Sequence, residues 1–240
     1  MIEKTLGIVL GQIKFGDTSL IVHLYTSQWG RMAILVPGAR TSSKNRKAHL
    51  FQPLTLLELE VYHKPGRDLQ KIREARNHHP FMHLTGDPVK SSIALFLADI
   101  LHKTLREESP NSDLFEFLLH HIQYLDMADT GVANFHLYFL LKLSRYFGFN
   151  PGVPEGEVWW FDIPAGQFTP TKPVHGNCLD PALTGILIQL NQSAVQDLGS
   201  LTLNRHQRNE VLSGLLRYYQ HHMEGLGEIR SHTVLKAIFE

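Results

Sequence analysis

With 240 residues the chain has room for one large domain or two modest ones, and its 43% hydrophobic content is that of an ordinary globular protein. The formal net charge is zero and the pI about 7.3, which on their own speak against a nucleic-acid binder. That average conceals a split: Lys and Arg number twelve against six Asp and Glu over residues 1–80, and eleven against seventeen over the remainder.

A single cysteine, Cys178, rules out an intrachain disulfide and fits a reducing compartment. The opening MIEKTLGIVLG carries Glu3 early and lacks a small-residue cleavage pattern. No apolar run approaches the length of a membrane span. A cytoplasmic protein with no membrane partner is expected.

The first third carries strand signals. Thr5 to Phe15 is rich in Ile, Val and Leu and closes at Gly16-Asp17. Leu20 to Tyr25 is apolar on both alternating faces, as suits a strand buried on two sides. Gly30 turns the chain into a third strand with Met32, Ile34 and Val36 alternating, which breaks at Pro37-Gly38. Leu54 to Tyr62 alternates again, Lys64-Pro65-Gly66 makes a turn, and Leu69 to Arg76 is a weaker fifth strand with a bulge expected between Leu69 and Ile72. Five short strands at even spacing predict a small closed barrel, and an OB-fold has this strand count and length.

Asn77 to Pro88 reads as a boundary. Asp87-Pro88 then opens a helix as N-cap and first-turn proline. Apolar stripes follow from Ile93 to Leu105, ending at Ser109-Pro110, and from Leu114 to Leu125. A third helix, about Val132 to Phe147, is apolar almost all round, belongs at the centre of a bundle, and is capped by Gly148. Further helices are expected at Leu183–Leu190, Arg205–Met223 and His232–Phe239. The fold class is therefore α+β in two parts: a five-stranded barrel over residues 1–78, and an all-α bundle over 79–240 interrupted by an irregular Pro/Gly/aromatic insert at 150–181.

No P-loop, nucleophile elbow or HExxH motif is present, and no catalytic residue is assigned. Fifteen histidines invite a metal reading, but His120-His121 and His221-His222 are adjacent pairs that diverge on a helix. His175-x-x-Cys178 has zinc-like spacing without a second pair to close a structural site, so neither metal nor cofactor is expected.

What remains is binding. After the third strand comes a polar tail, ARTSSKNRK, carrying Arg40, Lys44, Arg46 and Lys47, a suitable device for holding a polyanion. Arg31, Arg67, Lys71, Arg73 and Arg76 fall near that loop or around the turn and strand after Pro65, so that the two regions flank one groove of a barrel. For base stacking, Phe15, Tyr25, Trp29, Phe51 and Tyr62 are available. Trp29, beside Gly30 in a turn, is the best exposed of them, whereas core packing is the better account of Phe15 and Tyr25.

The order and spacing of GIVLGQIKFGDTSLIVHLYTSQWGRMAILVPGAR, LFQPLTLLELEVYHKPGRDLQKIREAR and LLRYYQHHMEGLGEIRSHTVLKAI resemble the RecO family of bacterial recombination mediators over nearly the whole chain. The resemblance implies an N-terminal OB-fold and a helical C-terminal domain. It implies binding of single- and double-stranded DNA, annealing of complementary strands, and help in loading recombinase onto strands coated with single-stranded-DNA-binding protein, in break and gap repair of the RecF type. It implies RecR and the acidic C-terminal tail of the coating protein as partners; Lys142 and Arg145, near the end of the central helix, are candidates for that tail. Many members carry a four-cysteine zinc module where this chain reads PGVPEGEVWWFDIPAGQFTPTKPVHGNC, so zinc is not carried over and the aromatic residues are expected to fill its space. An RNA-binding OB protein and a protein-only scaffold are the rival readings.

Overall fold

Alternation of apolar side chains in the first third places one row of each strand inside a closed barrel. The computed structural model describes residues 2–40, 47–154, 159–227, 229 and 231–238. The strands are β1 (Glu3–Phe15), β2 (Ser19–Thr26), β3 (Gly30–Val36), β4 (Leu56–Tyr62) and β5 (Leu69–Asn77), with a short helix α1 (Lys47–Leu50) between β3 and β4. They close in the order β1-β2-β3-β5-β4, with β3 and β5 parallel and the other pairs antiparallel. This is the OB-fold, as the resemblance implied; the strand count had predicted a small closed barrel.

One strand closes the barrel on two sides. The first half of β1 pairs with β4, from Glu3 opposite Val61 to Ile8 opposite Leu56, and its second half continues along β2. Between the halves the register steps from Val9–Leu24 to Gly11–His23, leaving Leu10 as a bulge that bends the strand. Leu54, with φ of +62° and its side chain fully buried, donates its N–H to the Val9 carbonyl at 2.7 Å and seals the barrel beside that bulge. The expected bulge in β5 falls at Arg73, one residue beyond Ile72. Val9, Val22, Leu24, Ile34, Leu57, Leu59 and Val61 fill the interior, with Phe51 entering from beyond α1. Each such fully buried side chain contributes about 1.5–3 kcal/mol.

The chain divides into two compact units, residues 1–127 and 128–240. The first thus keeps two long helices with the barrel: α2 (Pro88–Thr104) and α3 (Ser112–Met127). Asp87 caps α2 as its sequence foretold, its carboxylate accepting from the N–H groups of Val89 and Lys90. Helix α2 ends at Thr104, short of the expected Ser109-Pro110, because the chain turns away along the start of β3. A second carboxylate, Asp126 at the end of α3, is fully buried and accepts from the N–H groups of Met82, His83 and Leu84 at 2.9, 2.8 and 2.6 Å. Lys90 Nζ donates to the Asp126 carbonyl at 2.6 Å. These bonds staple the segment after β5 to the far end of α3.

The second unit contains α4 (Val132–Leu143), which continues as a 3-10 turn to Phe147 and ends at Gly148 with φ of +81°, then α5 (Pro181–Gln192), α6 (Arg205–His222) and α7 (Ser231–Ile238). Nearly every residue of α4 is buried, as its all-round apolarity required. Within the stretch expected to be irregular, three short strands form a sheet in the order β7-β6-β8: β6 (Trp160–Asp162), β7 (Gln167–Thr169) and β8 (Cys178–Leu179). Strands of two or three residues leave no period to read. Phe161 of β6 packs edge-on against Tyr218 of α6 at 5.2 Å, and Phe149 meets Tyr218 and Tyr219 at 5.3 and 5.0 Å.

Burial opposes ionisation of Asp126, but the three backbone donors outweigh it and hold its carboxyl below the usual aspartate range. A depressed folded-state value means that the stabilisation is complete above about pH 4 and is lost as pH falls further. Asp126→Ala is expected to cost about 3 kcal/mol in urea unfolding at neutral pH and to flatten the acid limb of the stability profile below pH 4.

Candidate nucleic-acid interface

The outward residues of the barrel align across strands into rows, because paired residues point to the same side. One row runs Gly11, His23, Ala33 on β1, β2 and β3; a second runs Tyr25 and Arg31 on β2 and β3. The unit's own helices cover both. His102 of α2 stands edge-on to His23 at 4.9 Å, and a Cβ at Gly11 would lie 3.8 Å from its ring. Phe115 of α3 stacks on Tyr25 at 6.4 Å. This explains why β2 reads as apolar on two faces: one faces the barrel interior, the other the helices.

Arg31 fixes the cover in place. Its Nη1 donates to the carbonyls of His102 and Leu105 at 2.5 and 2.7 Å, satisfying the C-terminal end of α2 and meeting the negative pole of its dipole. Its backbone N–H donates to the Glu107 carbonyl at 2.9 Å. Gly30, with φ of +63°, lies so close to this segment that a Cβ would fall 2.4 Å from the Ser109 carbonyl oxygen and 2.6 Å from that of Glu107. Burial, then the neighbouring Arg31 charge and His23, push His102 down to about 4; burial and then Arg31 also lower His23.

The next row stays open. It runs Ile13, Ile21, Leu35, Lys71, Tyr62 across β1, β2, β3, β5 and β4. Four inter-strand steps of about 4.8 Å carry it about 19 Å obliquely over the barrel. At the β1 end stand Phe15 and Lys14, beside the turn that Arg40 holds: its N–H donates to the Thr18 carbonyl at 2.9 Å and its Nη1 to that of Gly16 at 3.2 Å. At the other end is the loop Lys64–Asp68, shaped by the buried Gln70 amide, which bonds Lys64 N, Lys64 O and Arg67 O.

The cations singled out in the sequence separate into three groups. Arg40, Arg67 and Lys71 are exposed and make no ion pair among the described residues, and Lys14 and Lys64 join them. Arg73 pairs with Glu60 at 2.9 Å and Arg76 with Glu74 at 2.8 Å, on an outer face of β4 and β5 where Lys4–Glu60 and His78–Glu58 also pair. Arg31 is half-buried and bound to backbone. Lys44 and Arg46 lie outside the described residues, as does the side chain of Lys47. Among the aromatics, Trp29 is stacked on His63 at 4.4 Å, while Tyr25 and Phe51 are buried. Phe15, expected in a core, is exposed, because β1 beyond its bulge has left β4 and projects past the closed part of the barrel.

In the second unit, Lys142 Nζ donates to the Asn191 carbonyl at the end of α5 and lies 5.3 Å over the Tyr138 ring; burial, then Arg145, lowers its pKa. Arg145 is exposed. His175 pairs with Asp162 at 3.1 Å, and Cys178 sits opposite Asp162 in the small sheet. Among the described residues no three His, Cys, Asp or Glu side chains converge to hold a metal, so this donor set does not fit a closed zinc site. No described helix is long and apolar enough to cross a membrane.

Fold and surface together define an OB-barrel protein whose outer face is half covered by its own helices and half open beside unpaired cations. Models of Recombination protein O match the chain at both ends, the N-terminal one over residues 1–81 and the C-terminal one over residues 85–228. A DNA repair protein RecO from Bacteroides fragilis is 38% identical over 242 residues, spanning all of both chains. That of Phocaeicola vulgatus is 38% identical over 240 residues, again spanning both, and that of Flavobacterium psychrophilum is 35% identical over 237 residues, 98% of each. The chain belongs to the RecO family.

Since folding lowers the His102 pKa from 6.5 to about 4, docking of the α2 end is fully stabilised above pH 6.5 and weakens as pH falls from there toward 4. Hydrogen-exchange protection over residues 101–109 is expected to drop across that window, and less steeply in His102→Gln.

Proposed function

We propose that this chain is a DNA-binding recombination mediator, acting by holding strands and partners together rather than by catalysing a covalent step. The observation that carries this is the open strip of the OB barrel, flanked at both ends by cations with no ion pair among the described residues. The chain's membership of a family whose curated members are named DNA repair proteins supports it.

The mechanism is electrostatic. Lys14, Arg40, Lys64, Arg67 and Lys71, with Lys44, Arg46 and Lys47 of the chain that follows Arg40, displace counterions from phosphates. Neutralising two strands on one surface lowers the repulsion that opposes their annealing. Assistance in loading recombinase onto strands coated with single-stranded-DNA-binding protein, in RecF-type repair, follows if the second unit holds the coating protein. RecR and the acidic tail of that protein are the partners this reading assigns, the tail at Arg145 with Lys142 beside it. Arg73 and Arg76 serve phosphates only by exchanging glutamate partners, which surface ion pairs permit at small cost.

Binding is expected to weaken with salt and to show little base preference. Replacing Arg40, Lys44, Arg46 and Lys47 by Gln should reduce the slope of log affinity against log salt by about 0.7–0.9 per lost phosphate contact and slow annealing; an unchanged slope removes the loop from the interface. Arg31→Gln, by contrast, should cost about 2 kcal/mol of stability and leave the slope as it was. For the tail, a pull-down with the coating protein should lose most of its yield in the Lys142→Ala/Arg145→Ala double variant. Undiminished capture would move that contact elsewhere.

A further inference from the structure

Cations account for the two ends of the open strip but not for its middle. Ile13 is 53% exposed, and with Ile21 and Leu35 it makes an apolar floor across three strands. Phe15 and Tyr62, at opposite ends, are 50% and 43% exposed, and neither ring has an aromatic partner among the described residues. Among the described residues of the barrel they are the stacking candidates left free, since Trp29 is spent on His63 and Tyr25 and Phe51 are buried. A contiguous exposed apolar strip on a barrel marks a binding surface.

Its occupant follows from the alternation of flat apolar groups with charge. Arg40 braces the turn after Phe15, Lys71 pairs in register with Tyr62, and Lys64 and Arg67 stand in the adjoining loop. A single strand of DNA offers the complement: unstacked bases for the rings and floor, and phosphates for the cations. A duplex offers the same phosphates, but its bases are stacked on one another inside the helix.

Resting on the DNA-binding function above, we infer that Phe15 and Tyr62 are base-stacking platforms, and that they set a preference of this barrel for unpaired over duplex DNA. The cations serve both forms and respond to salt. The rings serve one form and do not.

The test compares binding of a labelled oligothymidylate, an abasic strand of equal length and a duplex by fluorescence anisotropy at two salt concentrations. In the full-length chain, Phe15→Ala/Tyr62→Ala should weaken oligothymidylate binding about five- to a hundredfold per ring lost, change duplex binding less than twofold, and leave the salt slope unaltered. Phe15→Leu/Tyr62→Leu, which keeps apolar bulk for folding, should show the same ordering with a smaller loss. The unaltered protein should bind the abasic strand as weakly as the alanine variant binds oligothymidylate. Equal weakening of both DNA forms, no weakening of either, or abasic binding as tight as that of oligothymidylate overturns the inference. Failure of the wider reading looks different: the unaltered protein would then bind none of the three oligonucleotides even at the lower salt concentration.

Discussion

The arrangement of the first unit depends on the bond between the Arg31 guanidinium and the end of α2. A helix terminus leaves carbonyls without partners, and a guanidinium on an adjacent strand is among the strongest donors available to them. It acts together with the Arg31 N–H, which holds the Glu107 carbonyl, so that one residue fixes both where α2 stops and where the chain from Leu105 to Ser109 lies. With it, α2 lies across Gly11 and His23, α3 brings Phe115 onto Tyr25, and the neighbouring row of the barrel is left uncovered. A single strand-to-helix contact therefore decides which part of an OB surface is structure and which part is available. The close approach at Gly30 reinforces the choice, since no side chain fits there.

The barrel separates its charges in the same economical way. On the outer face of β4 and β5, Glu60 pairs with Lys4 and Arg73, Glu74 with Arg76, and Glu58 meets His78. The cations that stay unpaired are in loops or beside the open row. A zero net charge thus coexists with a local cluster of exposed cations that make no ion pair among the described residues, and the composition of the whole chain was a poor guide to it. The second unit is held by a different device: Phe149 and Phe161 meet Tyr218 and Tyr219 of α6 edge-on, tying the small sheet and the end of the central helix to α6.

Much of this was legible in the sequence because it was periodic or local. Strand boundaries were marked by Gly16-Asp17, Gly30 and Pro37-Gly38, the α2 cap by Asp87-Pro88, and the centrality of α4 by apolarity on every side. The double-sided burial of β2 was visible too, though not what would cover it. What escaped was non-local. Arg31 looks like any strand cation until the helix that needs it is in place, and Trp29 looks exposed until His63 arrives from the far side of β4. Phe15 looks like core because nothing in its own neighbourhood says that β1 has parted from β4 beyond Leu10. Lys142 resembled a solvated helix-end cation, and its bond to Asn191 depends on a helix some fifty residues later.

The double duty of β1 bears on how the chain is made. The β1–β2–β3 meander is local and can pair as soon as Val36 has been synthesised, but Glu3 must wait for Val61 and Ala33 for Leu69. Through that interval the meander has two open edges, the condition in which strands mispair with other chains. The segment that next emerges from the ribosome is ARTSSKNRK, polar and multiply charged, which is what discourages an unpaired edge from recruiting a neighbour. The run proposed above as an anion grip is thus also suited by its charge to keep those edges from mispairing, and substitutions that neutralise it are expected to lower yield during synthesis.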